Sequence, residues 1–148
     1  DAAARDKLWE ARRSISPALY HMNPTKINED IVVPRDKIPD ILKKLRRLSE
    51  ESGIQIVNFG HAGDGNIHVN IMVDKKDAEK YQKAESLVRE IFDMTLRLGG
   101  TISGEHGIGI TKASYLSMEI KKHELELMKG IKNLFDPKNI LNPGKIFI

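Results

Sequence analysis

Two periodicities of hydrophobic residues divide the chain into helices and strands. Apolar residues recur at helical spacing through several long stretches, as on the buried side of an amphipathic helix. This spacing predicts helices over residues 3–20, 36–52, 77–98 and 123–135, with a shorter helix after Gly109. Shorter apolar or alternating stretches predict strands over residues 29–33, 54–59, 66–73 and 101–102.

The order of these elements predicts an α+β fold, in which an antiparallel sheet is backed by helices in a ferredoxin-like arrangement. In the strand over 66–73, His68 and Asn70 project from the polar face that the apolar residues leave free. On the first helix, we expect one apolar stripe to be buried: Leu8, Ala11, Ile15 and Leu19.

Composition narrows the class of protein. The 148 residues are typical of one domain, and 40% hydrophobic with 30% charged residues is the balance of a soluble globular protein. The net charge of +3 is spread among acidic residues, so we expect no nucleic-acid partner. No apolar stretch reaches the roughly 18–20 residues of a membrane span. The absence of cysteine excludes disulfides, thiolate metal sites and cysteine nucleophiles, and fits a cytoplasmic protein.

Two glycine-rich segments carry the residues best suited to chemistry. Residues 60–70 read GHAGDGNIHVN and residues 103–109 read SGEHGIG; together they hold three of the five histidines. A hairpin brings His61 and His68 within reach of one ion, because facing residues on paired strands lie about 5 Å apart. With Glu105, two imidazoles and a carboxylate leave coordination positions free, as catalytic metal sites do. Zinc, manganese or ferrous iron suits such ligands.

Simpler interpretations stay open at this point. His61 and His68 also fit two hydrogen-bonded histidines of a hairpin, and Glu105 also fits the first turn of a helix capped by Ser103. The glycines of the second segment do not match a dinucleotide-binding fingerprint. The remaining histidines are expected at the surface: His21 and His123.

Both segments, together with the closing DPKNILNPGK of residues 136–145, resemble the C-terminal domain of FAD-linked oxidases of the vanillyl-alcohol oxidase and p-cresol methylhydroxylase superfamily. They are most similar to D-lactate dehydrogenases, the glycolate oxidase flavoprotein subunit and D-2-hydroxyglutarate dehydrogenase. The resemblance runs from Leu8 to Phe147. It implies that residues 1–148 form the substrate- and metal-binding domain of a longer protein, with an FAD-binding domain N-terminal to it. An opening Asp1 in place of Met fits that expectation.

The resemblance also implies a role for each residue of the two segments. His61, His68 and Glu105 match the ligands of a divalent metal, which we expect to be zinc. His106 matches a histidine beside the substrate hydroxyl and is the expected general base. Asn70 matches a polar residue that lines the same pocket.

Further matches lie near the two ends of the chain. Arg12 aligns with an arginine that binds the substrate carboxylate, with Arg13 as its neighbouring rival. Ser16 stands where a relative has threonine, and Lys26 matches a second carboxylate-binding residue. Asn142, in the closing motif, is expected near the isoalloxazine ring of the flavin.

The implied activity is the oxidation of a 2-hydroxy acid to a 2-oxo acid, with hydride passing to FAD. The expected partners are the substrate, the FAD-binding domain and an electron acceptor, in the cytoplasm or at the inner face of the membrane. We expect these 148 residues alone neither to bind FAD tightly nor to turn over substrate. Two alternatives are a free-standing divalent-metal-dependent hydrolase and a non-catalytic interaction module.

Overall fold

The computed structural model describes residues 1–148 and combines four helices with one small sheet. The helices are α1 (Ala2–Ala18), α2 (Ile38–Ser52), α3 (Ala78–Arg97) and α4 (Lys122–Phe135). The strands are β1 (Thr25–Val32), β2 (Gln55–His61) and β3 (Asn66–Val73). Short 3₁₀ helices occupy Leu19–His21, Arg35–Lys37 and Ala113–Met118, so the short helix expected after Gly109 is of this tighter type.

The sheet is antiparallel, and β3 lies between β1 and β2. The predicted α+β class is therefore confirmed. The strand predicted over 101–102 is wrong, because only one bridge joins Thr101 to Val32 at the outer side of β1. A side chain ends that pairing: the carboxylate of Glu119 accepts hydrogen bonds from the Ile102 backbone N–H and the Thr101 hydroxyl.

The hydrophobic core lies on one side of the sheet, beneath α2 and α3. The apolar residues of β3 pack there against side chains such as Leu45 and Phe92. The alternation of apolar and polar residues along β3 predicted that its opposite side is uncovered. That side is buried instead, since His68 is 7% exposed and Asn70 is fully buried. β3 is thus buried on both sides, as expected for a central strand whose second face is covered by other elements.

The first helix differs most from its sequence prediction. Leu8 is 73% exposed, and no residue of α1 is buried. Its contacts with the sheet come instead from its polar side, where the Arg12 guanidinium lies 5.1 Å from the Phe59 ring and Ser16 accepts a hydrogen bond from Lys26. The predicted apolar stripe is therefore wrong; of its members only Leu19, beyond the end of α1, is buried.

The first strand is longer than predicted, because it begins at Thr25 and not at Glu29. Its pairing with β3 runs from Thr25 opposite Val73 to Val32 opposite Asn66. Polar residues at the start of β1 hide this extent in the sequence, since they face the polar side of the sheet. No helix in the structure combines the length and the apolar character needed to cross a membrane.

Candidate active site

The β2–β3 hairpin brings the first two predicted ligands together. Its register places Phe59 opposite His68 and His61 opposite Asn66, so both histidines lie on the polar side of the sheet. Their rings meet edge to face, with centroids 5.5 Å apart. Asp64 stabilises the connecting turn by accepting a hydrogen bond from the Asn66 backbone N–H.

Glu105 reaches the same point from the loop that follows the Thr101 bridge. Its Oε1 lies 3.1 Å from His68 Nε2 and 3.9 Å from His61 Nε2. One ligand atom from each of the three side chains lies within 4.8 Å of the others. Two imidazoles and a carboxylate at these separations fit a divalent cation that keeps further coordination positions. The side chains of His61 and Glu105 are about half exposed, so the position is open to solvent.

Burial favours the neutral form of the central histidine. The pKa of His68 lies below its ordinary value chiefly because the ring is buried, although the negative charge of Glu105 acts in the opposite direction. Its ring also packs 5.3 Å from that of Phe59. A neutral imidazole is the form that binds a metal ion.

His106 lies next to this group without belonging to the predicted ligands. Its ring stacks on that of His68 with centroids 5.5 Å apart. Its Nε2 lies 4.0 Å from Glu105 Oε1, and its Nδ1 lies 3.6 Å from Asp30 Oδ1. The side chain is 46% exposed, so a small molecule that reaches Glu105 also has access to this ring.

Sequence reasoning missed a buried ion pair beneath the loop. Asp30 lies opposite His68 in the β1–β3 register, and its carboxylate is paired with Lys112, which is only 3% exposed. Burial acts to raise the pKa of Asp30, but the hydrogen bonds from Lys112 and from the His106 and Glu105 backbones outweigh it, and that pKa lies below its ordinary value. One signal in the sequence could have found Asp30. Side chains alternate between the two faces of a strand, and this alternation along β1 places Asp30 on the polar face.

A second carboxyl group missed from the sequence lies on the core side of β1. Glu29 is 6% exposed, and its Oε2 has no hydrogen-bond partner. Burial raises its pKa to about 7, even though the Lys112 ammonium lies 3.7 Å away and acts to lower it. Glu29 is thus a buried acid that titrates near neutrality.

Three of the residues expected to bind substrate, Arg12, Ser16 and Lys26, lie along the α1 side of the polar face. Arg12 lies over Phe59, whose ring contacts His68. Lys26 Nζ donates a 2.7 Å hydrogen bond to Ser16 Oγ. Arg12 therefore lies beside the central histidine, and the binding roles of all three residues stay predictions.

The two asparagines differ in their surroundings. Asn70 donates from its Nδ2 to the backbone carbonyls of Val57 and His68, and its Oδ1 accepts from Asn28. Its amide is therefore committed to holding the three strands together. Asn142 lies in the exposed C-terminal tail, where it lines a separate cavity of about 210 Å³. The structure does not bring Asn142 into the histidine cluster.

An apolar cavity beside the hairpin is separate from this site. It has a volume of about 190 Å³ and lies along β2, with Ile38 and Leu42 of α2 in its wall. It includes His61 but none of His68, Glu105 and His106. The candidate active site is the open polar face instead. His21 and His123 are exposed and lie apart from it, as predicted.

Comparison with known proteins identifies the family of the chain. The family model described as "FAD linked oxidases, C-terminal domain" matches residues 1–146. The chain is 46% identical over 140 residues to the glycolate oxidase subunit GlcD of Bacillus subtilis. The matched region covers 95% of the chain and 30% of that protein. It is 41% identical over 146 residues to a D-2-hydroxyglutarate dehydrogenase of Stutzerimonas stutzeri, which covers 95% of the chain and 31% of that protein.

A third relative is a D-lactate dehydrogenase of Archaeoglobus fulgidus, 44% identical over 117 residues that cover 79% of the chain and 26% of that protein. The chain thus spans about 30% of the length of the curated relatives that it matches. Because the family model covers nearly the whole chain, the chain belongs to the FAD-linked oxidases, as their C-terminal domain.

Proposed function

We propose that this chain is the substrate- and metal-binding domain of an FAD-dependent dehydrogenase or oxidase that converts a 2-hydroxy acid to a 2-oxo acid. The observation that carries the proposal is the convergence of His61, His68, Glu105 and His106 on one open face of the sheet. This convergence occurs in a chain of the FAD-linked oxidase family, and relatives of the chain are named for glycolate, D-lactate and D-2-hydroxyglutarate.

His61, His68 and Glu105 are the proposed ligands of a divalent cation, with zinc as the first choice. Such an ion supplies a Lewis acid that lowers the pKa of a bound hydroxyl group. The donor set supports this proposal, because burial lowers the pKa of His68 and so favours its neutral form, and Glu105 contributes a carboxylate.

His106 is the proposed general base and takes the proton of the substrate hydroxyl at Nε2. This ring nitrogen faces the Glu105 carboxylate, while Nδ1 faces Asp30. Stacking against His68 limits the rotation of the ring. An imidazole is suited to the role, because its ordinary pKa lies close to neutrality.

Positive charge beside the histidines supports binding of an acid. Arg12 is the proposed clamp for the substrate carboxylate, since a guanidinium forms charge-assisted hydrogen bonds to such a group. Lys26 and Ser16 are proposed to contact a second polar group of the substrate from the adjacent position. Asn70 is proposed to line the pocket, where its internal hydrogen bonds keep the wall rigid.

The flavin supplies the hydride acceptor, and we propose that it is bound mainly by an N-terminal domain of the same polypeptide. The share of the relatives that this chain covers supports this division. Asn142 is proposed to approach the isoalloxazine ring from the exposed tail. The 148 residues alone are then expected neither to hold FAD tightly nor to turn over substrate. An electron acceptor completes the proposed partners, in the cytoplasm or at the inner face of the membrane.

The ferredoxin-like description of the fold is also kept as a proposal. The bridge at Thr101 lies on the outer side of β1, where the fourth strand of such a sheet belongs. Solution NMR of the chain tests whether Thr101 lies beside β1 on the side away from β3. A chain in which Thr101 does not pair with Val32 would contradict the ferredoxin-like description.

The function is tested with the complete polypeptide from the coding sequence. Purified protein is assayed with glycolate, D-lactate and D-2-hydroxyglutarate and a dye as electron acceptor, and bound flavin is measured by its absorbance. We expect His106→Gln to lower kcat by about 10²–10⁴-fold, while His123→Gln on the exposed face of α4 has no effect. Flavin-independent hydrolysis of esters or phosphate esters would contradict the proposal and support a hydrolase.

A further inference from the structure

We propose that Asp30, held in place by Lys112, is a positioning residue that sets the backbone of residues 104–106 and so aims Glu105 and His106 at His68. The inference rests on the proposed function for the roles of Glu105 and His106. It assigns a role to Asp30 and Lys112, for which the sequence predicted none.

Three consecutive backbone N–H groups converge on a single oxygen of Asp30. Gly104, Glu105 and His106 donate to Asp30 Oδ2 over 3.0, 2.6 and 2.9 Å. Successive N–H groups that point to one place form a concave anion-binding site, which in other proteins holds a phosphate or similar ion. Here a side chain of the same molecule fills it, so the conformation of the loop depends on Asp30.

Lys112 neutralises this carboxylate and ties it to its surroundings. The ammonium group pairs with Asp30 Oδ1 and donates to two backbone carbonyls, Asp30 O at 2.9 Å and Ile102 O at 2.8 Å. Three donors thus meet three acceptors, which satisfies a buried ammonium completely. The ion pair fastens the start of the loop, at Ile102, to β1.

The position of Asp30 on the sheet explains why the loop is aimed at His68. Asp30 and His68 are register partners on β1 and β3. A loop whose amides are bound to Asp30 is therefore held at a constant distance from the His68 ring. The results are the 3.1 Å contact of Glu105 with His68 and the stacking of His106 on the same ring.

A matched arrangement elsewhere in the chain provides the control. Asp136 is 5% exposed, is paired with Lys132, and accepts hydrogen bonds from the backbone N–H groups of Ile140 and Leu141. It performs the same local task in the C-terminal tail. Asp136→Asn and Asp30→Asn therefore remove the same kind of interaction at two different places.

The experiment measures backbone amide hydrogen exchange and Zn²⁺ binding in the complete polypeptide. In the unaltered protein, the amides of residues 104–106 should be protected although Glu105 is more than half exposed. Asp30→Asn is expected to reduce that protection and to weaken Zn²⁺ binding by about 10–100-fold, the usual effect of losing a group that orients ligands. Asp136→Asn should leave both measurements unchanged.

The variant Ile31→Val distinguishes a positioning role of Asp30 from a purely structural one. It removes a core methylene group beside Asp30 but leaves the hydrogen bonds of Asp30 in place. We expect this variant to lose stability but to keep its Zn²⁺ affinity. Equal losses of affinity in Ile31→Val and Asp30→Asn would overturn the proposal. Unprotected amides at residues 104–106 in the unaltered protein would overturn it as well, even if Asp30→Asn fails to fold. Protected amides with no Zn²⁺ binding would overturn the proposed metal and leave the positioning role supported.

Discussion

His68 Nε2 lies 3.1 Å from Glu105 Oε1, and this contact joins the middle of the central strand to a loop from a distant part of the chain. One side of the contact is nearly buried, while the other is more than half exposed. The buried imidazole and the accessible carboxylate together form a site that a small ligand can reach. The contact therefore marks the place where we expect the chemistry of this domain.

Removal of the central imidazole should strongly weaken metal binding. We expect His68→Ala to weaken Zn²⁺ binding by at least ~100-fold, because loss of a ligand costs more than the loss of a group that orients one. Isothermal titration calorimetry of the 148-residue chain measures the affinity. His123→Ala, on the exposed side of α4, is the control and should bind Zn²⁺ as before. Unchanged binding in His68→Ala would show that the ion, if bound, lies elsewhere.

The two neighbouring arginines of α1 should differ in their effect on substrate. Arg12 lies over Phe59 on the polar side of the sheet, whereas Arg13 is exposed. A charged hydrogen bond contributes about 1.5–3 kcal/mol, so Arg12→Gln should raise KM by about 10–100-fold. Steady-state kinetics of the complete polypeptide give the comparison with Arg13→Gln, which we expect to be unaltered. The reverse order of effects would assign the clamp to Arg13.

The two glycines of the hairpin turn should differ in their response to an added methyl group. Gly65 has a φ of +82°, and a Cβ there would lie 2.0 Å from the Val33 carbonyl oxygen. We expect Gly65→Ala to lower the free energy of unfolding by roughly 2–4 kcal/mol. At Gly63 no atom lies within 4 Å of the added Cβ, so Gly63→Ala should be nearly neutral. Urea unfolding of both variants tests the difference, and equal stabilities would contradict the turn geometry.

Glu29 should make the domain less stable at alkaline than at acidic pH. Its pKa is raised from 4.5 to about 7 in the folded chain, so the folded state holds the proton more tightly than the unfolded state does. Its contribution to stability is complete below about pH 4.5 and is lost as the pH rises to about 7. At about 1.4 kcal/mol per pH unit, the loss is about 3 kcal/mol.

The variant Glu29→Gln should remove this dependence, because the amide does not titrate. Urea unfolding at pH 4 and pH 8 measures the effect, and the variant should exceed the unaltered chain in stability only at pH 8. Asp30 stabilises the folded chain at higher pH instead, since its pKa is lowered. Both proteins contain Asp30, so its contribution cancels when their stabilities are subtracted. Glu10→Gln, at an exposed position, is the control. An equal pH dependence with and without Glu29 would contradict this prediction.

Local sequence patterns predicted the helices and strands where one side of an element packs on the core. α2, α3 and β3 lie within two residues of their predicted bounds, because their apolar periodicity reflects burial against each other. For α1 the same reasoning predicted the helix but not its packing, because the apolar side is exposed and the polar side, with Arg12, contacts the sheet. The sequence pattern also predicted a β1 that begins too late, because Lys26 and Asn28 face the polar side of the sheet.

The sequence by itself determined the chemical types at the site, since His61, His68, Glu105 and His106 all stand in two short glycine-rich segments that can be picked out from the sequence. Tertiary structure decided that these four side chains meet, because the register of β1, β3 and β2 and the amides bound by Asp30 combine distant segments. It also decided that Asp30, Lys112 and Glu29 are buried together. Burial of charge depends on packing from every side, and no local pattern of residues encodes it.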